Sequence, residues 1–89
     1  MKDEKKIAGL IAEAMKQMDM LINDTSVPKN VRSTISEAKQ KLGSQADYII
    51  RVSEAIYNLD SVSNDINLPP QARTSIWNIL SLLESIKTS

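Results

Sequence analysis

One phrase occurs twice in the chain. Residues 23–35 read NDTSVPKNVRSTI and residues 64–76 read NDINLPPQARTSI, 41 positions apart. Each copy sets the turn formers Asn and Asp ahead of a proline, then returns to an apolar pattern of helical spacing. Proline cannot continue a helix from within, but it fits the first turn, where amide donors lack partners anyway. It also drives the preceding residue out of the helical region, so Val27 and Leu68 are expected to be extended. The corners at Asp24-Pro28 and Asp65-Pro69 therefore each end one helix and start another. A chain with two such corners half its length apart folds as two similar helical hairpins.

The likeness extends beyond the phrase. Residues 11–35 align with 52–76 without a gap, with eight identical pairs, among them Asp19/Asp60, Asp24/Asp65, Pro28/Pro69 and Arg32/Arg73. Ile7, Ile11, Ala14, Met18 and Leu21 step by four and three, which keeps one apolar stripe on one helix face. Tyr48, Val52, Ala55, Leu59 and Val62 repeat it. Val31, Ile35, Ala38 and Leu42 mark the second helix, and Ala72, Ile76, Ile79, Leu83 and Ile86 the fourth. Strand-like alternation is absent. The spacing predicts helices near 3–23, 29–42, 45–63 and 70–87, with Gly43 as a C-cap between the halves. The fold class is all-α: residues 1–89 form one domain, a four-helix antiparallel bundle with an internal repeat of 7–42 and 48–83. Stacking of the two hairpins in the manner of HEAT repeats is the alternative, although two units are fewer than a solenoid needs.

Composition removes several classes of function. The 89 residues include no His and no Cys, which takes away the usual general base, the usual nucleophile and most zinc and iron ligands. No catalytic residue, cofactor or metal site is expected, and the chain is read as a non-enzyme. Glu13 and Glu54 lie beside the apolar stripes, too far round the helix from Asp19 and Asp60 to share a face with them. Eleven basic residues balance eleven acidic ones, so no overall field draws in nucleic acid or an anionic membrane. The N-terminal apolar run is too short for a signal peptide and no stretch is long enough to cross a bilayer, so a soluble cytoplasmic protein is expected.

Two features remain. Arg32 and Arg73 recur just past the corners, where a guanidinium fork can hold carboxylates, with Asp19 and Asp60 nearly opposite, or helix-end carbonyls. A structural clasp is the simpler reading, and a duplicated anion site is its functional rival. The acids ahead of each second helix are also expected to favour its positive end. The second feature is local divergence. Where the first copy has Ser36, Lys39 and Lys41, the second has Trp77, Leu80 and Leu82. The Trp77/Leu80 shoulder is expected to meet a protein partner, most economically a second copy of the chain in a homodimer through the fourth helix; filling of the core is the competing explanation. Against this interaction module stands a nucleic-acid-binding protein using the basic second helix with Lys29, Lys39 and Lys41, although no aromatic residues interleave with these lysines.

The paired N-D-x-x-[VL]-P-x-x-[VA]-R corners, the length and the four-helix pattern make the whole chain resemble uncharacterised protein family 0147, a group of small archaeal proteins. The resemblance implies an up-and-down four-helix bundle and carries no activity, substrate or catalytic residue.

Overall fold

The computed structural model describes residues 4–88. Four helices run in order: α1 (Glu4–Ile22), α2 (Lys29–Leu42), α3 (Tyr48–Val62) and α4 (Pro70–Thr88). Position 3, where the periodicity places the first residue of α1, lies outside the described residues, as do both ends of the expected 1–89 domain.

The apolar stripes account for this arrangement. Ile7, Ile11, Ala14, Met18 and Leu21 of α1 are buried, as are Val31, Ile35, Ala38 and Leu42 of α2. In α3 and α4 the buried set includes Val52, Ala55, Leu59, Val62, Ala72, Ile76, Ile79, Leu83 and Ile86. Except for half-buried Tyr48, each buried stripe position of the first half meets a buried residue 41 positions later. Val27 and Leu68, the residues before the corner prolines, are buried as well and plug the same end of the core.

Helix contacts decide between a closed bundle and stacked hairpins. α2 packs on α1 and α3, and α4 packs on α3 and α1, while α1 does not meet α3 and α2 does not meet α4. Stacked repeats would bring corresponding helices together, α1 on α3 and α2 on α4. Here those pairs are the diagonals of a closed ring. The radius of gyration, 12.4 Å, agrees with the roughly 12 Å of a compact domain of this length.

Two local details depart from the sequence expectations. α3 begins at Tyr48 rather than near 45, because residues 43–47 turn and Asp47 is extended, with φ −53° and ψ 145°. Arg51 reaches back across this connection and donates from Nη1 to the Leu42 carbonyl at 2.7 Å. Gly43 does stand at the C-cap of α2, its N–H shared between the carbonyls of Lys39 and Gln40. Its φ of −88° and ψ of 3° are open to any residue, so no left-handed cap is used. Finally, the corner acids do not reach the helix ends. The Asp24 carboxylate accepts from the Ser26 N–H at 2.9 Å and the Ser26 hydroxyl at 2.7 Å, and that of Asp65 accepts from the Asn67 N–H at 2.8 Å. A short carboxylate closes most readily on amides two residues ahead, which here lie in the loop and short of the helix.

Candidate functional site

The two corners lie at the same end of the bundle and share their backbone bonds, while their arginines take different carbonyls. In each, the acid's carbonyl accepts from the N–H three residues on, Val27 to Asp24 at 3.1 Å and Leu68 to Asp65 at 3.2 Å. In each, the arginine four residues past the proline donates its N–H to the proline carbonyl and turns its guanidinium back into the corner. Arg32 Nε donates to the Val27 carbonyl at 3.0 Å, and Arg73 Nη2 to the Asp65 carbonyl at 3.0 Å. Pro28 is the N-cap of α2, with φ −54° and ψ 144°, and Pro69 precedes Pro70, the first residue of α4. The corners also touch, through the Asn30 amide donating to the Asp65 carboxylate at 3.3 Å. Asp24 is held below the usual carboxylate range, first by the Ser26 hydroxyl, then by the Ser26 amide, with a smaller share from Arg32.

Asp19 goes elsewhere. Its carboxylate takes the Lys39 ammonium at 2.6 Å, which joins α1 to α2, while Arg32 is committed to Val27. Asp60 is exposed near the end of α3; its carbonyl accepts from the Ser63 hydroxyl at 3.1 Å.

Between the hairpins lies a polar joint that periodicity did not single out. Asn58 is buried at 6% exposure; it accepts from Lys41 Nζ at 3.1 Å and donates to Glu37 at 3.3 Å. Lys41 also lies 4.0 Å from Glu54. The positive charge of basic α2 is thus partly spent where it packs on α3. Asn58 itself left a faint signal, an amide one turn past Glu54 on the flank that carries Arg51.

The fourth helix divides its three divergent residues. Leu80 and Leu82 are partly buried and packed against the core. Trp77 is 53% exposed. Ser75 and Asn78 line a groove with Gln17, Met20 and Leu21 of α1. At 100° per residue Arg73, Leu80 and Trp77 therefore fall on the opposite flank of α4, toward α3 and solvent. Among the described residues, Ile49, Ile50, Tyr57 and Trp77 of these two helices stand out as exposed large apolar side chains, joined elsewhere only by Met20 and Ile66. Four of these six thus lie on two helices that pack on each other, which is the surface's main departure from an ordinary polar exterior.

The chemistry available is limited. An open depression between the starts of α1 and α3 is lined by Glu4, Asp47, Tyr48 and Arg51 with Ile7, Ala8, Ile11 and Ala46. Both carboxylates are exposed, and Arg51 Nε is buried without a partner. Among the described residues no three of His, Cys, Asp and Glu gather as metal ligands, and no described helix is long and apolar enough to cross a membrane.

Comparison with known proteins gives the fold and a family. UPF0147 protein MJ1419 of Methanocaldococcus jannaschii is 39% identical over 85 residues, covering 94% of this chain and 91% of its own. A crystal structure of a UPF0147 protein from Thermoplasma acidophilum superposes with a TM-score of 0.84 at 35% identity, over 89% of this chain and 94% of that one. The crystal structure of MMP1188, a protein of unknown function, gives 0.85 at 35% identity, over 88% and 90%. The model of the uncharacterised protein family UPF0147 matches residues 1–86, and the chain belongs to that family.

Proposed function

We propose that the protein is a non-enzymatic helical interaction module, two copies of one hairpin closed into a bundle, whose contact face is the outer flank of α3 and α4 around Trp77. Its partner on this reading is a second copy of the chain. The observation that carries it is the 53% exposure of Trp77 in a bundle whose core stripe, Ile76, Ile79, Leu83 and Ile86, is already filled. A lone tryptophan with so much ring in water is worth most to a chain that later covers it, since large aromatic residues dominate the energetic centres of interfaces.

The polar joints weigh against nucleic acid as the partner. Lys39 is committed to Asp19 and Lys41 to Asn58 and Glu54, so two of the three lysines of α2 would have to leave acids or amides to meet phosphate. A salt titration against duplex and single-stranded RNA checks this, because phosphate binding weakens steeply with salt. Tight, salt-sensitive binding lost on substituting Lys29, Lys39 and Lys41 would replace the present reading.

Sedimentation velocity over a concentration series tests the module directly, with Trp77 emission as a second readout, since it is the single tryptophan of the chain. The wild type should associate as concentration rises, with a blue shift, and Trp77→Glu/Leu80→Glu should remain monomeric. A wild type that stays monomeric throughout refutes the reading.

A further inference from the structure

The flank that carries Trp77 has a sequence order that fits its own reverse. Arg73, Trp77, Leu80 and Glu84 step by four, three and four, which places them in one stripe along α4. Arg73 and Leu80 are half-buried, and Trp77 and Glu84 exposed. Trp77 and Leu80 are centred on the point between Asn78 and Ile79. Arg73 and Glu84 are centred on that same point. A twofold axis through it, perpendicular to the helix, lays Trp77 on Leu80 of a second copy and Arg73 on Glu84 of that copy, each pair formed twice. In a parallel arrangement Arg73 would meet Arg73 and Glu84 would meet Glu84.

Charge use inside the chain leaves these groups free to pair. The ion pairs Lys39–Asp19 and Lys41–Glu54 use neither Arg73 nor Glu84. Arg73 spends Nη2 on the Asp65 carbonyl and keeps further donors on its fork. Resting on the reading of the α3–α4 flank as a contact face, we infer that two copies associate through antiparallel α4 helices, Trp77 against Leu80 at the centre and Arg73 against Glu84 at both ends. The isologous form follows from twofold symmetry, which requires every contact to be made twice. A 19-residue helix is about 28 Å long. Two such faces, edged by Tyr57 and Ile50 of α3, bury on the order of 1,000 Å² in total, at the lower end for a specific interface. The dimer is therefore weak and reversible.

Sedimentation equilibrium on purified full-length chains tests the arrangement. Glu84→Arg leaves the corner untouched and sets Arg73 against a new cation, so the dimer should weaken about tenfold. Arg73→Glu/Glu84→Arg in one chain exchanges both signs and should restore the dimer to within about threefold of wild type. Because Arg73→Glu also removes the bond to Asp65, circular dichroism checks that the exchanged chain is folded. If it is not, the salt dependence decides: added salt should weaken the wild-type dimer and leave that of Glu84→Gln nearly unchanged. A wild-type dimer that Trp77→Glu/Leu80→Glu abolishes, but that ignores salt and both Glu84 substitutions, overturns the antiparallel pairing and leaves the contact face standing. A wild type that never associates overturns both.

Discussion

Removing the corner arginines should cost unequal amounts, and the structure says which loses more. Arg→Met keeps most of the aliphatic stem and removes the fork, so the measured loss reports the hydrogen bond rather than packing. Arg73 donates to the Asp65 carbonyl, which also accepts from the Leu68 N–H at 3.2 Å. That acceptor keeps a partner when the guanidinium goes, and the residue itself is half-buried, so the charge-assisted bond is worth about 1 kcal/mol. Arg32 donates to Val27, a residue 1% exposed. No other bond to the Val27 carbonyl occurs among the described residues. Removing Arg32 leaves a poorly hydrated acceptor unpaired, and the cost rises to about 2 kcal/mol. At this chain length about 1 kcal/mol moves the melting temperature by roughly 4–8 °C. Urea unfolding followed by circular dichroism, with unchanged m-values, measures both. Equal losses, or a larger loss at Arg73, would refute the argument that the second acceptor bond protects the second corner.

Two further perturbations test the folding argument at other points. Gly9 lies inside α1 with no atom within 4 Å of the position a Cβ would take, so Gly9→Ala should stabilise by about 1 kcal/mol in the same urea assay; a loss would mean that something must approach this backbone closely. Asp24 titrates below the ordinary value of 3.8 in the folded state, so its contribution is complete above that value and fades as pH falls through the lower folded one. Asp24→Asn should therefore be less stable than wild type at neutral pH and indistinguishable from it in strong acid, and a difference that persists in acid would refute the role of the charge.

Much of the architecture was legible because a corner proline and a period of 3.6 are local signals. The stripes from Ile7 to Leu21 and from Ala72 to Ile86 needed no knowledge of their neighbours. What periodicity misplaced depends on partners across space. The pairing of Asp19 is decided by the reach of Lys39 from the facing helix, and sequence spacing suggested Arg32 instead. Arg32 takes the other alternative, a corner carbonyl, and turns back to Val27 at a corner whose path only the fold defines. Asn58 sits on a helix flank that reads as solvent-facing until α2 covers it. The late start of α3 arises because Asp47 is extended and Arg51 holds the connection, and neither leaves an apolar signature. The exposure of Trp77 was an open question in the sequence for the same reason: an apolar residue beside a core stripe is buried or exposed according to how two neighbouring helices lean.

The divergence between α2 and α4 separates into a part the fold uses and a part it does not. Lys39 ties α2 to α1 through Asp19, and Lys41 ties it to α3 through Asn58 and Glu54. The counterparts 41 positions on, Leu80 and Leu82, rest against the core, so α4 is joined to its two neighbours by apolar contact where α2 uses charge. Both solutions fasten a helix on two sides. Trp77 stands outside this exchange, since its counterpart Ser36 makes no such joint and Trp77 itself is half in water. Trp77→Ser/Leu80→Lys gives α4 the residues α2 carries and sets a lysine toward Asp60, as Lys39 is set toward Asp19. The lost burial of Leu80 and of the covered half of Trp77, about 1 kcal/mol each, is partly offset by the new surface pair, worth at most about 1 kcal/mol. The variant should thus remain folded within about 2 kcal/mol of wild type while losing association altogether. Urea unfolding and sedimentation on the same sample separate the two effects. A folded variant that still associates would remove Trp77 and Leu80 from the contact face, and one that fails to fold would show that the Trp77/Leu80 flank belongs to the core.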